Sequence, residues 1–173
     1  MAYVIRPYRD DDAEVLTEIL ASAITDIGPH AYSPAQVAAW AARHPGARRY
    51  RERVAAGDVI FVAADVDDRP VAYVLLEQDG HIDHLYNHPE HTRRGLATQL
   101  LATAATYARK HGMERLYAEA SDLARPAFER AGFAATHSHA MCVDERVTQK
   151  RLGVRGVVDR AGLDILLDEA VGY

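Results

Sequence analysis

Arg93 and Arg94 stand beside a glycine where an apolar helical pattern begins, in the stretch His88-Pro89-Glu90-His91-Thr92-Arg93-Arg94-Gly95-Leu96-Ala97-Thr98. The positive pole of a helix disfavours cations, by roughly a few tenths of a kcal/mol each. At the far end Arg109, Lys110 and His111 sit where the negative pole welcomes them, so only the beginning is out of electrostatic order. An anion held at that mouth reverses the sign of the local field. Gly95 lets backbone approach a ligand closely, and the unpaired N–H groups of a first helical turn donate to phosphate oxygen. Hydrogen bonds to a charged acceptor contribute about 1.5–3 kcal/mol each, so a few outweigh the misplaced arginines. Diphosphate binding is the chemistry this turn suits. A glycine turn with two solvated arginines accounts for the local sequence equally well. The G-x-x-x-x-G-K-[ST] loop is absent, and no G-x-G-x-x-G joins a strand to a helix.

Histidines form the second chemical signal. His81 with Asp83, and His137 with His139, have the i, i+2 spacing that sends two ligands to one side of a strand. No H-E-x-x-H, cysteine pair or third ligand accompanies them at a convincing distance, so no metal is expected. The acid run Asp10-Asp11-Asp12 needs no metal either, since acids at the start of a helix complement its dipole.

The elements that must hold these residues follow from period and punctuation. With 173 residues and 49% hydrophobic content, the chain suits one domain with one core. Its net charge of -5 gives no general pull toward nucleic acid or anionic membrane, so neither is expected as a partner. The apolar runs are too short to cross a bilayer, the amino terminus lacks the layout of a signal peptide, and Cys142 is alone. A cytoplasmic chain is expected. Strands are predicted over 3–7, 58–64, 71–77, 81–88, 115–120, 134–143 and 146–152. Helices are predicted from Asp10 to about Ile24, from Ser33-Pro34 through Val37, Trp40 and Ala41, from Arg94 to Gly112, and from Ala124 to Ala131. Arg48 to Ala56 reads as a short charged helix or turn. The expected fold class is α/β (α+β), with one mixed, mostly antiparallel sheet of about 6–7 strands and helices on both faces.

Together, the cation-glycine turn, the long helix after it, the next strand, the short helix and Gly132-Phe133 resemble the GNAT superfamily of acyl-coenzyme A dependent N-acetyltransferases. The family turn is Q/R-x-x-G-x-G/A; here it reads Thr92-Arg93-Arg94-Gly95-Leu96-Ala97, with Thr92 in place of the usual Gln or Arg. The resemblance covers roughly residues 3–152, leaving 154–173 as a carboxy-terminal extension beyond a domain of 1–153. Three stretches are similar to the YafP-type subgroup: Tyr32-Ser33-Pro34-Ala35-Gln36 with Trp40, Ile82-Asp83-His84-Leu85-Tyr86, and Arg125 to Phe133.

The resemblance implies acetyl-coenzyme A as co-substrate and an amine of a small molecule or peptide as acceptor. Its diphosphate would lie on Thr92, Arg93, Arg94, Gly95, Leu96, Ala97 and Thr98, and its pantetheine arm along Leu85, Tyr86 and Asn87, reaching Phe128. Tyr32, Gln36, Trp40 and Glu119 are implied as the acceptor wall. Acetyl transfer needs a neutral nucleophile, a stabilised oxyanion and a proton for the thiolate. Asp83 is the favoured base, with His81 or Glu119 acting directly or through water; regular pairing puts His81 and Asp83 on one strand face, and a bulge would shift that register. The backbone N–H of Leu85 or Tyr86 is the implied oxyanion donor. The family's usual acid, a tyrosine, falls on Phe128, which has no proton to give, so Ser121 and Tyr86 are the substitutes by position. Phe128 and Thr92 also leave room for a competing reading, a noncatalytic acyl-coenzyme A binding module. A homodimer stays open, because Leu163, Ile165, Leu166 and Leu167 can cover a second subunit as readily as the chain's own domain.

Overall fold

A computed structural model describes residues 2–43, 46–144 and 147–157. Val59–Ala64 (β2) and Pro70–Leu76 (β3) are apolar through nearly every position, and both faces of this central hairpin are buried. β1 (Val4–Pro7) pairs with β2, and β4 (Ile82–Asn87) with β3, giving an antiparallel sheet in the order β1-β2-β3-β4. β5 (Arg115–Ala120), β6 (Ala134–Asp144) and β7 (Val147–Val157) form a second antiparallel sheet in the order β5-β7-β6.

The seven expected strands are therefore divided four and three rather than joined along one continuous ladder. β4 and β5 meet only at a parallel bridge between His81 and Tyr117, where the Tyr117 N–H donates to the Gly80 carbonyl at 3.0 Å. Gly80 makes that approach possible: its φ is +92°, and a Cβ there would lie 2.2 Å from the Arg115 carbonyl oxygen. Beyond the bridge the two strand edges part.

Helices cover both faces of the first sheet. α1 (Ala13–Ser22) and α3 (Gly46–Ala55) pack Leu16, Ile19 and Tyr50 against Ile60, Val62, Tyr73 and Leu75. On the other face α4 (Leu96–Lys110) buries Leu96, Leu100, Leu101, Ala104 and Ala108 against Val74, Leu76, Ile82 and Leu116. Each leucine so buried contributes about 1.5–3 kcal/mol. α5 (Arg125–Arg130) adds Phe128 to that core, and α2 (Pro34–Ala41) lies near β6 and β7. The first helix ends earlier than Ile24; it widens into a π-turn at Ala23–Ile27 and then a 3-10 turn at Gly28–His30. Its start is set by Asp12, which receives the Arg9 N–H at 2.7 Å and the Arg6 guanidinium at 2.8 and 2.9 Å.

The last strand runs past its expected end at Leu152 to Val157, and Val154 is buried in the α4-side core. The opening residues of the expected 154–173 extension thus belong to the sheet, because continued pairing with β5 satisfies their backbone groups. The leucine pattern at 163–167 lies outside the described residues. Among the described residues no helix is long and apolar enough to cross a membrane.

Candidate active site

After β4 the chain turns at His88, whose Nδ1 accepts the Glu90 N–H at 3.3 Å, into a single 3-10 turn over Pro89–His91. The Thr92 hydroxyl donates to the Pro89 carbonyl at 3.1 Å, and α4 then begins with Gly95 as its N-cap at φ 74°. Arg93, two residues earlier, is also left-handed, at φ 58°. For a residue with a Cβ that conformation costs about 1–2 kcal/mol, and the surrounding turn imposes it. Left-handed residues on either side of Arg94 curl the backbone into a concavity whose N–H groups can converge on one anion. Among the described residues, a Cβ on Gly95 would meet nothing nearer than Gln99 Nε2 at 4.0 Å.

Charge around the turn has the same character. Arg93, Arg94 and Gly95 are exposed, and among the described residues Arg93 forms no ion pair. Arg94 donates to the Glu90 carbonyl at 3.2 Å. His91 meets the Tyr3 hydroxyl at 3.0 Å through Nδ1, and its pKa is held below the usual histidine value by burial first, then by Arg94 and His88. Between the turn and the splay of the sheets, Asn87 carries a buried Oδ1 with no hydrogen-bond partner. An orphaned acceptor of this kind fits a ligand amide passing along β4.

Where β4 and β5 diverge they enclose a cleft of about 260 Å³. His84, Leu85 and Tyr86 line it from β4, Glu119 and Ser121 from the end of β5, Phe128 from α5 and Trp40 from α2. Among the described residues β4 and β5 are both edge strands, so the two walls present backbone groups that no further described strand pairs with.

Pairing along β4 is not regular. Leu75 opposes His84 and Leu76 opposes Ile82, which leaves Asp83 as a bulge. The bulge puts Ile82 and Leu85 toward the α4 core and His84 and Tyr86 toward the α1–α3 layer. The regular pairing on which His81 and Asp83 were expected to share a face is thus interrupted by the bulge, and both residues line the cleft. They are gathered by Arg53 of α3, which pairs with Asp58, with Glu77 and, at 2.9 Å, with Asp83. His81 Nδ1 lies 2.9 Å from Glu77, and its ring stacks on Tyr117 at 5.0 Å. The ligand atoms of Glu77, His81 and Asp83 all lie within 4.8 Å of one another, and the guanidinium already supplies their positive charge. His88, Glu90 and His91 make a second such group, with His88 engaged as the turn's cap and His91 on Tyr3.

The residues expected on the acceptor side part company. Trp40 is half-buried at the cleft, 6.3 Å from the Tyr86 ring and edge-on to Tyr32 at 5.8 Å. Tyr32 is buried and its hydroxyl accepts the Asp122 N–H at 3.2 Å, so it braces the loop after β5 behind Trp40. Gln36 turns back on its own helix start: its Oε1 accepts the Ser33 N–H at 2.9 Å, while its N–H donates to the Ser33 hydroxyl at 3.3 Å. This capping box is written in the Ser-x-x-Gln spacing and engages the Gln36 amide oxygen. Ser121, 8% exposed, accepts the Ala124 N–H at 3.1 Å and keeps its own proton to give. Phe128 lies edge-on to Phe133 at 5.1 Å. The cleft also contains His84, absent from the expected set; its signal was a histidine placed between Asp83 and Tyr86 on a strand flanking the turn.

Comparison with known proteins places this geometry among characterised folds. Residues 29–148 match the family model described as an acetyltransferase (GNAT) domain. The uncharacterized N-acetyltransferase YafP of Escherichia coli (strain K12) is 33% identical over 152 residues, spanning 88% of this chain and 87% of that protein. A GCN5-related N-acetyltransferase structure from Rhodopseudomonas palustris superposes with a TM-score of 0.81 at 25% identity, over 91% of this chain and 96% of that one. Two more distant structures share the fold. The PaiA N-acetyltransferase of Thermoplasma acidophilum, in complex with coenzyme A, has a TM-score of 0.74 at 15% identity, over 91% and 99% of the two chains. YncA of Salmonella typhimurium, with acetyl-CoA, has 0.71 at 20% identity, over 94% and 97%.

Proposed function

The chain belongs to the GNAT acetyltransferase family, and on that premise we propose that it moves an acetyl group from acetyl-coenzyme A to a primary amine of a small molecule or peptide, by direct attack in a ternary complex. The observation that carries this reading is the left-handed pair Arg93 and Gly95 at the mouth of α4, one strand's length from an open cleft between two strand edges. Coenzyme A binding structures of the same fold support the choice of co-substrate.

The turn from Thr92 to Thr98 holds the diphosphate with backbone N–H groups, Arg93 and Arg94 adding charge. Bound there, acetyl-coenzyme A supplies an activated acyl thioester. The outer edge of β4 and the orphaned Asn87 Oδ1 receive the pantetheine amides, as a sheet edge receives an added strand. The N–H of Leu85 or Tyr86 faces the thioester oxygen as the oxyanion donor. Ser121, its acceptor side already filled by Ala124, offers a proton to the leaving sulfur in place of the missing tyrosine. Phe128 closes the apolar end of the cleft. Trp40 and Tyr86 form an aromatic entrance, and Asp83 and Glu119 give it the negative charge that draws an ammonium group. With one cysteine and no membrane-crossing helix among the described residues, we place this reaction in the cytoplasm.

Thermal denaturation with acetyl-coenzyme A, adenosine nucleotides or inorganic phosphate tests the site, and release of free thiol across a primary-amine panel tests the reaction. Stabilisation by acetyl-coenzyme A well beyond that by the other anions, with thiol release for at least one amine, is expected. Equal stabilisation by all three would reduce the turn to a general anion site, and binding with no thiol release would leave an acyl-coenzyme A binding module.

A further inference from the structure

A buried polar chain beneath the cleft is not used by this reading. Tyr50 of α3 and Tyr73 of β3 are both 0% exposed, and their hydroxyls meet at 2.7 Å. Tyr50 donates to the Leu16 carbonyl at 3.4 Å, and the Tyr73 hydroxyl lies 3.0 Å from His84 Nδ1. These contacts form one continuous chain, and the Leu16 carbonyl at its end gives the chain a direction. A carbonyl oxygen only accepts, so the single proton of Tyr50 goes to Leu16. With that proton donated to Leu16, Tyr73 donates to Tyr50 and His84 Nδ1 carries the hydrogen given to Tyr73. Burial pushes Tyr50 up to about 12 and Tyr73 well above its ordinary value, so both phenols keep their protons near neutrality. A neutral imidazole has one N–H, and here it is Nδ1–H; Nε2 is the basic nitrogen.

The other side of the ring agrees. His84 Nε2 stands 3.6 Å from the Asp83 carboxylate, beyond hydrogen-bond length and within reach of its charge. That carboxylate is anchored by Arg53 at 2.9 Å. A proton arriving at Nε2 would find a fixed counter-charge beside it.

Resting on the acetyltransferase reading, we propose that His84 is the base of the reaction, taking the acceptor's proton at Nε2, with Tyr73, Tyr50 and Asp83 as positioning residues. An ammonium acceptor gives one proton to Nε2, which passes it to solvent. The nitrogen lone pair then forms the N–C bond as the C–S bond breaks, and the second nitrogen proton ends on sulfur. Among the described residues the groups around His84 include Asp83 and Tyr86 on its own strand, Tyr73 from β3, Tyr50 and, through Asp83, Arg53 from α3, with Trp40 from α2 and Glu119 also lining the cleft. Asp83, the base expected from sequence, becomes the partner of the charged imidazole.

Long-range 15N–1H correlation spectra of the free protein at pH 8 test this without any acceptor. The His84 ring is assigned by its loss in His84→Asn or, should that variant not fold, by its contacts to the Tyr73 and Tyr86 rings in the unaltered protein. An Nδ1–H tautomer is expected, reverting toward Nε2–H in Tyr73→Phe; an Nε2–H ring in the unaltered protein overturns the proposal. In the amine panel His84→Asn, whose amide can still donate to Tyr73, should lose roughly 10²- to 10⁴-fold in kcat/KM and the acid limb of its pH profile, with acetyl-coenzyme A affinity unchanged. Retention of that limb would also overturn it. Failure of acetyl-coenzyme A to stabilise the protein sinks the transferase reading itself and leaves the tautomer assignment standing, so the two failures are distinct.

Discussion

Arg53 and Arg93 are both arginines beside the route to the cleft, and the fold treats them in opposite ways. Arg53 reaches from α3 into three carboxylates, Asp58, Glu77 and Asp83, with its side chain 15% exposed. Arg93 is held in a left-handed turn at the positive end of α4, exposed and, among the described residues, without an ion pair. The first cation completes a structure: removing it would leave three carboxylates crowded together. The second strains the structure it sits in, since both its backbone conformation and its place on the helix dipole are unfavourable. Protein carboxylates answer one charge, and the proposed diphosphate would answer the other.

The strongest way to break this contrast is Gly95→Glu, which puts a carboxylate in the mouth of α4 on a residue at φ 74°. Coenzyme A affinity should fall at least about 100-fold, near 3 kcal/mol, while stability drops only about 1–2 kcal/mol. Titration calorimetry beside thermal denaturation separates the two, and unchanged affinity would refute the turn as the diphosphate site. Arg53→Met should act the other way round, costing about 3 kcal/mol of stability and roughly 6–12 °C in Tm as the carboxylates lose their shared partner. A urea midpoint within error of the unaltered protein would show that the cage is ornamental. Arg93→Gly sharpens the comparison because its two effects have opposite signs: about 1 kcal/mol of added stability from relieved strain, and about tenfold weaker coenzyme A binding. Loss of both together would mean that Arg93 supports the fold as Arg53 does.

The smallest effect concerns His91. Its pKa is below the ordinary 6.5 in the folded protein, so the folded state binds fewer protons than the unfolded one as pH falls through that value. Its contribution to stability is present above the unfolded pKa and is lost as pH falls toward the folded one. A diphosphate drawn to the turn would offset Arg94 and raise His91 toward its ordinary value. Coenzyme A binding near pH 6 should therefore take up a fraction of a proton, seen as a binding enthalpy that varies with the ionisation enthalpy of the buffer. No such variation would place the bound charge away from His91.

Local pattern carried much of the fold. The spacing of Leu96, Leu100, Leu101, Ala104 and Ala108 marks the buried face of α4, because a helix repeats every 3.6 residues whatever it packs on. Ser33 with Gln36 marks the start of α2 through a capping box. The candidate site was legible only in part. Thr92 to Ala97 stood out as a candidate because misplaced charge and a glycine are local features, but the left-handed Arg93 has no signature in residue type. His84 was missed because its importance comes from Tyr73, 11 residues away, and from Tyr50, whose hydroxyl reaches Tyr73 across 23 residues. The bulge at Asp83 depends on how β3 and β4 settle against two different cores.

Charge, period and punctuation, each a property of neighbouring residues, are enough to determine the strands, the helices and a mouth at α4 suited to an anion. Which nitrogen of His84 is basic, which carboxylates surround Arg53 and where the sheets part were decided by tertiary structure alone. Proton direction and charge pairing belong to groups that only folding brings within hydrogen-bond distance.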